Sequence, residues 1–462
     1  MKVIKIGGGC LRDGRAAKTI LDLIAGRGQG NIFVLSAFYG VTDILIAGIE
    51  QALEKEKKIP EVISRLKGLH QDIIHDLVLD AETRDPLFES LEAVYSKLER
   101  YYFGISFTRE ATPRMQDMVA TFGERISAVI MSRAAVALGL DADYVLPEEL
   151  GIISDGKFMD ASALMDQTAS NIKAWLRDHM TEDKILFVPG FYGISETKEI
   201  TTFGRGGSDY SAAVVAAGAG AQVLEIWKDT EGFMTADPDN VPHCRLIPKL
   251  TYEEAAELSY TGAGILHPRT VEPVKNAGID IAIKNTYNPD AKGSLITHDV
   301  PVSAGIIKSV SYTKDVSILK IDAPGVGARF GFLAQVLEPI GRARINVKSV
   351  VTSQTCIGLL LSRGDIHAGY EAVMTMPPAQ LGRVMTVDDV ALVSIVGKGL
   401  HSNRGIAAKC FSAVSQANVN IEMISSGTSD AALYFLVKED CLDNTIQALH
   451  NTFFGREDES GC

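Results

Sequence analysis

The chain lacks the residue patterns of disulfide-rich, zinc-binding and membrane-spanning proteins. Its six cysteines are scattered over 462 residues without a CxxC pair, which argues against a disulfide framework and against a zinc ribbon. No stretch reaches the roughly 18 to 20 apolar residues that a membrane span requires, and the first apolar run stops at Ile6, too early for a signal peptide. These absences predict a cytoplasmic protein that works away from the membrane.

Positive charge is also in short supply. The chain has 45 lysines and arginines against 58 acidic residues, so its formal net charge is −13. This balance argues against a general binder of nucleic acid or of anionic membranes, while it leaves room for local cationic pockets that bind phosphates. With 46% hydrophobic residues, a chain of this length is expected to form two to four domains with substantial cores.

The stretch with the most unusual chemistry is TTFGRGGSDY, residues 201–210. Three glycines surround Arg205, and glycines let main-chain N–H groups approach a ligand closely. Ser208 and Asp209 are typical of a helix start, so Asp209 is expected at the positive N-terminus of a helix. The alternative is a glycine-rich turn with a capping aspartate and a solvated arginine.

The first 300 residues alternate short buried strands with amphipathic helices. They open with a strand at Val3–Ile6, three glycines and a helix at about residues 16–25. This alternation predicts an α/β fold over residues 1–300, with a doubly wound, mainly parallel sheet and ligand groups at the strand ends. One continuous helix is predicted over residues 118–138, with Glu124 near its start. Further strands are predicted at residues 32–37, 142–146, 185–189, 223–227 and 279–284.

An internal repeat occupies the remainder of the chain. Placing Val316 on Val390, an offset of 390 − 316 = 74 residues, also places Gly331 on Gly405 without a gap. In each copy the pattern predicts a strand, a helix, two strands and a second helix. The sequence therefore predicts two ferredoxin-like βαββα modules, at residues 301–383 and 384–462.

Seven segments resemble, in the right order, the sequence motifs of the aspartokinases. In that family a kinase domain of the amino acid kinase type is followed by paired ACT domains. The resemblance covers essentially the whole chain. The segments are KIGGG at 5–9, SAFYGVTD at 36–43, FGERIS at 122–127, FGRGGSDYSA at 203–212, DTEGFMTADP at 229–238, LHP at 266–268 and NTYNPDAKGSLI at 285–296.

The resemblance implies that the γ-phosphoryl group of ATP is transferred to the β-carboxylate of L-aspartate. The product is 4-phospho-L-aspartate, the first intermediate on the way to lysine, threonine and methionine. A carboxylate with a pKa of about 4 is already ionised at neutral pH, so its attack needs no general base. The obstacle is repulsion between two anions, which calls for cations, oriented N–H donors and Mg²⁺ on the phosphate oxygens.

The resemblance also implies which residues carry the phosphoryl chemistry. Lys5 matches the phosphate-binding lysine of the family, and Gly7 and Gly8 match its backbone contacts to the phosphates. Asp209 matches the residue that organises the lysines and the transferring phosphate, and it is not expected to abstract a proton. The further residues implied to bind the nucleotide are Asp229, Phe233 and Asp237.

The substrate end of the implied site has a cation and an anion. Arg205 matches the clamp on the aspartate carboxylate, where a planar guanidinium binds in a bidentate geometry that lysine cannot provide. Glu124 matches the residue that receives the substrate ammonium. The other implied members of the substrate pocket are Ser36, Thr42, Phe191 and Ser208.

The chain departs from the family pattern at the nucleotide end. The opening motif of the family is KFGGTS, whereas this chain has Gly9 and Cys10 in place of the two hydroxyl residues. Lys228 replaces a threonine, and Gly264 stands where the family commonly has a lysine that contacts the phosphates. One hypothesis is that Lys228 binds ATP and supplies the charge that Gly264 cannot. The alternative is that Lys228 faces solvent. Phe233 replaces the usual tyrosine and retains the ring without the hydroxyl.

Paired ACT domains imply regulation by an amino acid. In aspartokinases the effector is lysine, threonine or both, and the paired modules imply a homodimer or a higher homo-oligomer. The candidate effector segments are residues 322–330 of the first repeat and 425–430 of the second, which could face each other across an interface. Sequence alone does not identify the effector.

Two other interpretations of the kinase region stay open. One is a related kinase for another acidic amino acid in a specialised pathway, and the other is an amino-acid sensor built on a degenerate kinase. Gly9, Cys10 and Gly264 favour the sensor, whereas retention of the costly charged groups counts against it. His267 is interpreted as structural, and no metal-ligand set is recognised in the sequence.

Overall fold

The computed structural model describes residues 1–77, 80–262, 264–298, 300, 306–323, 326, 330–377, 381–400, 402–427 and 429–455. The chain forms two compact units. The first unit comprises Met1–Phe233, Leu246–Ala256 and Gly264–Val300, and the second comprises Met234–Arg245, Glu257–Ala263 and Pro301–Cys462. Within the described residues, no helix is both long enough and apolar enough to cross a lipid bilayer.

The first unit is built on an eight-stranded sheet with the strand order β3-β5-β2-β1-β8-β10-β11-β9. Every neighbouring pair is parallel except β10 and β11. The chain places β2 on one side of β1 and β8 on the other, so the topological switch point lies between β1 and β8. The predicted doubly wound, mainly parallel sheet is confirmed. The strands of this unit are β1 (Val3–Ile6), β2 (Ile32–Leu35), β3 (Ala142–Tyr144), β4 (Ile153–Ser154), β5 (Ile185–Pro189), β6 (Tyr192–Ser195), β7 (Ile200–Thr202), β8 (Val223–Lys228), β9 (Lys249–Thr251), β10 (Asp280–Asn285) and β11 (Ser294–Thr297).

Helices cover this sheet with apolar faces set at helical spacing. In the first of them, Asp13 caps the N-terminus by accepting a hydrogen bond from Ala16 N at 2.9 Å, and Ala17, Leu21 and Ile24 are buried. The helices are α1 (Gly14–Arg27), α2 (Val41–Glu54), α3 (Ile59–Asp76), α4 (Ala81–Thr108), α5 (Pro113–Ala120), α6 (Phe122–Ala137), α7 (Pro147–Leu150), α8 (Met165–His179), α9 (Gly207–Ala219), α10 (Tyr252–Tyr260) and α11 (Val271–Ala277).

Two local features of the first unit differ from the sequence prediction. The helix predicted over residues 118–138 is broken at Thr121, whose Oγ1 donates to Met118 O at 2.9 Å. A new helix, α6, therefore begins at Phe122 and places Glu124 in its first turn. A small three-stranded sheet, β4-β6-β7, was not predicted, because strands of two to four residues are too short to show a period.

The second unit contains two four-stranded antiparallel sheets, β14-β15-β13-β16 and β12-β17-β19-β18. Each repeat has the βαββα order that the sequence predicts. The elements of the second unit are β12 (Ser309–Thr313), β13 (Ser317–Asp322), α12 (Phe332–Arg342), β14 (Val347–Thr352), β15 (Cys356–Leu361), α13 (Ile366–Met374), β16 (Val384–Val387), β17 (Val390–Val396), α14 (Ile406–Gln416), β18 (Met423–Ser425), β19 (Ala432–Lys438) and α15 (Leu442–Phe454).

Each sheet of the second unit is completed by a strand from outside its own βαββα repeat. Strand β12 precedes the first repeat but pairs with β17 of the second. Strand β16 lies after residue 383 but pairs with β13 of the first repeat. Each sheet therefore contains strands from both sides of residue 383. The domain limits of 301–383 and 384–462 stay predictions.

Equivalent positions of the two repeats pack on each other. Val316 and Ile318 lie 74 residues before Val390 and Leu392, and all four side chains are buried in one cluster. We call this set, completed by Leu360 and Leu436, the inter-sheet cluster. It contains residues of both sheets, so burial of the cluster joins the two modules.

Replacing Leu436 by alanine should destabilise the second unit. Its side chain is fully buried in the inter-sheet cluster, so a Leu436→Ala cavity is expected to cost about 2–5 kcal/mol. Hydrogen exchange of the β17 and β19 amides in the full chain measures this loss. Ile424→Ala on the neighbouring strand is the matched control, because Ile424 is 48% exposed and should change stability by about 0.5 kcal/mol or less. Equal effects of the two substitutions would contradict the packing role.

Candidate active site

A cavity of about 700 Å³ opens where β1, β2 and the start of α9 meet. The carboxyl ends of β1 and β2 contribute Lys5 and Ser36, and the first turn of α9 contributes Ser208 and Asp209. This is the edge of the sheet at which doubly wound folds bind their ligands. The predicted site residues that line the cavity are Lys5, Gly8, Ser36, Thr42, Glu124, Phe191, Arg205, Ser208 and Asp209.

A buried ion pair joins two strand and helix ends in this cavity. Lys5 Nζ lies 2.5 Å from Asp209 Oδ1, and both side chains are less than a tenth exposed. Burial by itself raises the pKa of Asp209, but the ammonium groups of Lys5 and Lys228 outweigh it and hold the pKa below its ordinary value. Asp209 is therefore an anion in contact with two ammonium groups and a poor proton acceptor, and its predicted organising role stays a prediction.

The glycine-rich loop before α9 requires glycine at position 206. Gly206 has a φ of 72°, in the left-handed region, and a Cβ there would lie 2.3 Å from His267 Cγ. His267 thus packs against the loop, and its partial burial lowers the pKa of the imidazole. The position agrees with the structural role inferred for this histidine from the sequence.

Two residues that the sequence analysis missed hold the loop in place. Arg269 donates from Nη1 to Phe203 O at 3.0 Å and from Nη2 to Ala161 O at 2.6 Å, and its guanidinium lies 4.9 Å from the centre of the Tyr210 ring. The sequence signal that could have identified Arg269 is its position directly after the LHP segment at 266–268.

The second missed residue is Asp117, for which no sequence signal existed. It is 2% exposed, and its carboxylate accepts hydrogen bonds from Thr202 N at 3.1 Å, Thr202 Oγ1 at 2.6 Å and Met159 N at 2.9 Å. Phe191, on the wall of the same cavity, has a φ of 80°, which is a strained value for a residue with a side chain. The Asp117 carboxylate thus ties the backbone of Thr202 to that of Met159 beside the cavity.

Glu124 has an unsatisfied oxygen. It is 4% exposed, and its Oε1 accepts a hydrogen bond from Ser208 Oγ at 3.3 Å. Its Oε2 is buried and has no hydrogen-bond partner among the described residues. Burial raises the pKa of this carboxyl to about 7. Such an orphaned oxygen is suited to receive the ammonium group of a ligand.

Arg205 contrasts with Glu124 because it is exposed. It lines the same cavity, and among the described residues no hydrogen bond or ion pair engages its guanidinium. A free arginine and a buried glutamate on one cavity complement the carboxylate and ammonium groups of an amino acid.

Comparison with known proteins agrees with this geometry. The amino acid kinase family model matches residues 1–285, and an ACT domain model matches residues 393–453. Aspartokinase 1, chloroplastic, from Arabidopsis thaliana is 30% identical over 99% of this chain and 81% of its own length. The aspartokinase of Corynebacterium glutamicum is 32% identical over 89% of this chain and 95% of its own.

The chain belongs to the aspartokinase family. The predicted family, fold class and enzyme class, an ATP-dependent aspartate kinase, are thereby confirmed. The fold also matches that of Escherichia coli aspartokinase III in complex with aspartate and ADP, with a TM-score of 0.83 and 24% identity over 98% of this chain and all of that one. The same enzyme in complex with lysine and aspartate gives a TM-score of 0.81, also at 24% identity, over 98% of this chain and 99% of that one.

Lys228 and Gly264, two positions at which this aspartokinase departs from the family pattern, are in contact with each other. Lys228 Nζ is 3.7 Å from Asp209 Oδ2 and donates to Gly264 O at 3.3 Å, and its side chain is only 19% exposed. The solvent-facing alternative for Lys228 is therefore wrong. Asp229 forms an ion pair with Arg12, with Oδ2 and Nη2 2.7 Å apart.

Cys10 takes no part in this charge network. Its side chain is buried, with Sγ 3.5 Å from Trp227 O and accepting a hydrogen bond from Thr286 Oγ1 at 3.0 Å. Burial raises the pKa of the thiol, which keeps it protonated and unreactive. Packing of the turn after β1 against the ends of β8 and β10 is the role that this geometry supports.

Five of the predicted nucleotide residues are not part of the cavity lining: Lys228 and Asp229, described above, and Gly7, Phe233 and Asp237. Gly7 lies close behind Lys5, since a Cβ on Gly7 would be 3.4 Å from Lys5 Nζ. Phe233 is 1% exposed, and its backbone N donates to Ser294 Oγ at 2.9 Å. Asp237 belongs to the second unit, where its carboxylate accepts a hydrogen bond from Tyr312 Oη at 3.0 Å. Their nucleotide-binding roles stay predictions.

Replacing Glu124 by glutamine should stabilise the ligand-free protein at alkaline pH. The pKa of Glu124 is raised on folding from 4.5 to about 7, so the ionised form weakens the folded state above pH 7 and has no such effect below about pH 4.5. At about 1.4 kcal/mol per pKa unit, the difference at pH 8 is about 3 kcal/mol. Thermal unfolding of Glu124→Gln and wild type from pH 5 to pH 8.5 measures it.

The matched control for this prediction is Glu149→Gln, because Glu149 is exposed. Its unfolding temperature should follow that of the wild type at every pH. Parallel pH profiles for Glu124→Gln and the wild type would contradict the raised pKa.

Proposed function

We propose that this aspartokinase transfers the γ-phosphoryl group of MgATP to the β-carboxylate of L-aspartate, with Lys5 and Asp209 as its catalytic pair. The observation that carries this assignment is the buried contact between Lys5 and Asp209 at the switch point of the sheet, on the same cavity as Glu124 and Arg205. The cavity thus brings groups for a phosphate together with groups for a free amino acid.

The substrate end selects an unmodified α-amino acid. The free Oε2 of Glu124 receives the substrate ammonium, and the guanidinium of Arg205 binds the α-carboxylate. Ser36, Thr42, Phe191 and Ser208 line the same cavity and limit the length of the side chain. An N-acylated substrate would leave Glu124 buried without a cation, which is costly.

The phosphoryl transfer then needs charge stabilisation but no base. The β-carboxylate is already ionised, so one of its oxygens bonds to the γ-phosphorus while the bond to the β,γ-bridging oxygen breaks and ADP leaves with that electron pair. The Lys5 ammonium stabilises the negative charge on the transferring group. Asp209 holds that ammonium in position and stays ionised throughout.

Magnesium enters as part of the nucleotide substrate. Among the described residues, no group of three or more histidine, cysteine, aspartate and glutamate side chains is arranged to hold a metal ion. The carboxylates nearest the phosphate end, Asp209 and Asp229, are both paired with cations. A Mg²⁺ ion held mainly by phosphate oxygens fits this arrangement.

The second unit is proposed to bind an amino-acid effector. Escherichia coli aspartokinase III has been solved in complex with lysine and aspartate, and the effector proposed for this chain is lysine, threonine or both, acting in a homodimer or a larger homo-oligomer. Of the two candidate segments, residues 324, 325, 327–329 and 428 lie outside the described residues. In the described part, Ser429 Oγ and Tyr434 Oη both donate to the Glu257 carboxylate.

A hydroxylamine trapping assay tests the reaction. Purified protein with MgATP and L-aspartate should form a hydroxamate together with an equal amount of ADP, because the product is an acyl phosphate. Omission of aspartate is the control, and lysine and threonine are added separately to test the effector proposal. ADP formation with glutamate but not with aspartate would assign a different acceptor, and no turnover with either would favour the sensor.

Arg205→Ala should lose most activity toward aspartate, whereas Arg205→Lys should retain part of it. Removing one partner of a charged pair costs about 2–5 kcal/mol, which corresponds to a loss of about 30- to 5,000-fold in kcat/KM for aspartate. Lysine keeps the charge but not the bidentate geometry, so its loss should be smaller. Steady-state kinetics with each substrate varied in turn measure this. A rise in the KM for ATP instead would mean that Arg205 contacts the nucleotide and not aspartate.

A further inference from the structure

We propose that Lys228 is a second catalytic lysine, held together with Lys5 on the two oxygens of Asp209 so that both ammonium groups contact the γ-phosphoryl group. This inference rests on the proposed function and extends it from a single lysine to a pair. It assigns Lys228 to the transferring phosphate, which is a narrower role than general binding of ATP.

The strand register places the two lysines on the same face of the sheet. Strands β1 and β8 are adjacent and parallel, with Lys5 paired to Ile226. Side chains of paired residues in parallel strands point to the same face, and residues two apart in one strand do so as well. Lys228 therefore shares a face with Ile226 and with Lys5, and it lies at the carboxyl end of β8, beside the switch point.

Asp209 is the common partner of the two ammonium groups. Its Oδ1 lies 2.5 Å from Lys5 Nζ, and its Oδ2 lies 3.7 Å from Lys228 Nζ. Two cations and one anion leave one positive charge at a place where the side chains are largely removed from water. Burying uncompensated charge is costly, so this arrangement is best explained by an anionic ligand that completes it.

The remaining contacts of Lys228 leave donor capacity for such a ligand. Its ammonium carries three N–H groups, and among the described parts of the chain the hydrogen bond that it donates is to Gly264 O, at 3.3 Å. Asp229, the next acidic residue along the chain, is paired with Arg12. Burial lowers the pKa of Lys228, and Asp209 opposes that shift.

The contact to Gly264 also explains a departure from the family pattern. The resemblance described in the sequence analysis implies a lysine at this position, whereas here the Lys228 ammonium donates to the backbone carbonyl of the glycine. The ammonium group of Lys228, at the end of β8, thus lies next to position 264, where the lysine is missing. The competing interpretation is that Lys228 only neutralises Asp209 and never contacts the nucleotide.

The first experiment compares nucleotide binding in Lys228→Met and the wild type by calorimetry. The probes are ADP and a nonhydrolysable ATP analogue, each with magnesium. If Lys228 contacts the γ-phosphoryl group, the substitution should weaken binding of the analogue about 10-fold or more and change ADP binding by less than about threefold. Equal weakening of both nucleotides, or of neither, would overturn the proposal. This readout does not depend on which acceptor the enzyme uses.

The second experiment separates direct action from action through Asp209. Single-turnover rates are measured for wild type, Lys228→Met, Asp209→Asn and the double variant. The Lys228→Met rate should be about 100-fold lower with little change in KM for aspartate, and the substitution should still lower the rate in the Asp209→Asn background. If it has no effect in that background, Lys228 acts only through Asp209 and the proposal fails.

Lys284→Met is the matched control for both experiments. Lys284 lies on the next parallel strand, β10, paired with Trp227 and therefore on the opposite face from Lys228. Its Nζ donates to Ala291 O at 3.0 Å. Nucleotide binding and turnover of Lys284→Met should equal those of the wild type.

Two further comparisons complete the test. Lys228→Arg should keep at least a tenth of the wild-type rate, because it retains the charge. If Lys228→Met does not fold, Lys228→Gln, which also removes the charge, takes its place in both experiments. A wild-type protein that forms no hydroxamate with aspartate would refute the proposed function, while the comparison of ADP with the ATP analogue would still decide the role of Lys228.

Discussion

The buried contact between Lys5 and Asp209 is the interaction on which the rest of the site depends. Two charges removed from water are tolerated only when each has a well-placed partner, and loss of one partner of such a pair typically costs about 3–5 kcal/mol. Lys5 is placed by the end of β1 and Asp209 by the first turn of α9, where the positive helix end favours a carboxylate. The sheet, the glycine-rich loop and the anchoring contacts of Arg269 and Asp117 all serve to keep this geometry.

The two charged groups proposed to bind the substrate differ from this ion pair, because each lacks a charged partner among the described residues. Glu124 is buried and its Oε2 has no hydrogen-bond partner among the described residues, so a ligand ammonium group, as proposed above, would supply the missing partner. Arg205, by contrast, is exposed. In the proposed function, the two side chains gain their opposite charges from the same substrate.

The second unit is held together by its internal symmetry. Equivalent residues of the two repeats, Val316 with Val390 and Ile318 with Leu392, pack in the inter-sheet cluster. Each sheet also takes its outer strand from beyond its own repeat, since β12 pairs with β17 and β16 pairs with β13. Neither module has a complete sheet without the other part of the chain, so the two sheets form one structural element.

By itself, the sequence determined the parallel α/β sheet and the βαββα order of the repeat, because hydrophobic periods are local properties, and its resemblance to the aspartokinases implied the grouping of Lys5, Glu124, Arg205 and Asp209. It did not predict the break at Thr121, the exchange of β12 and β16, or the anchoring role of Asp117. It also left open whether Lys228 faces solvent. Only the tertiary structure decided these points, because they depend on contacts between residues far apart in the chain, such as Lys228 with Asp209 and Gly264, which no local pattern encodes.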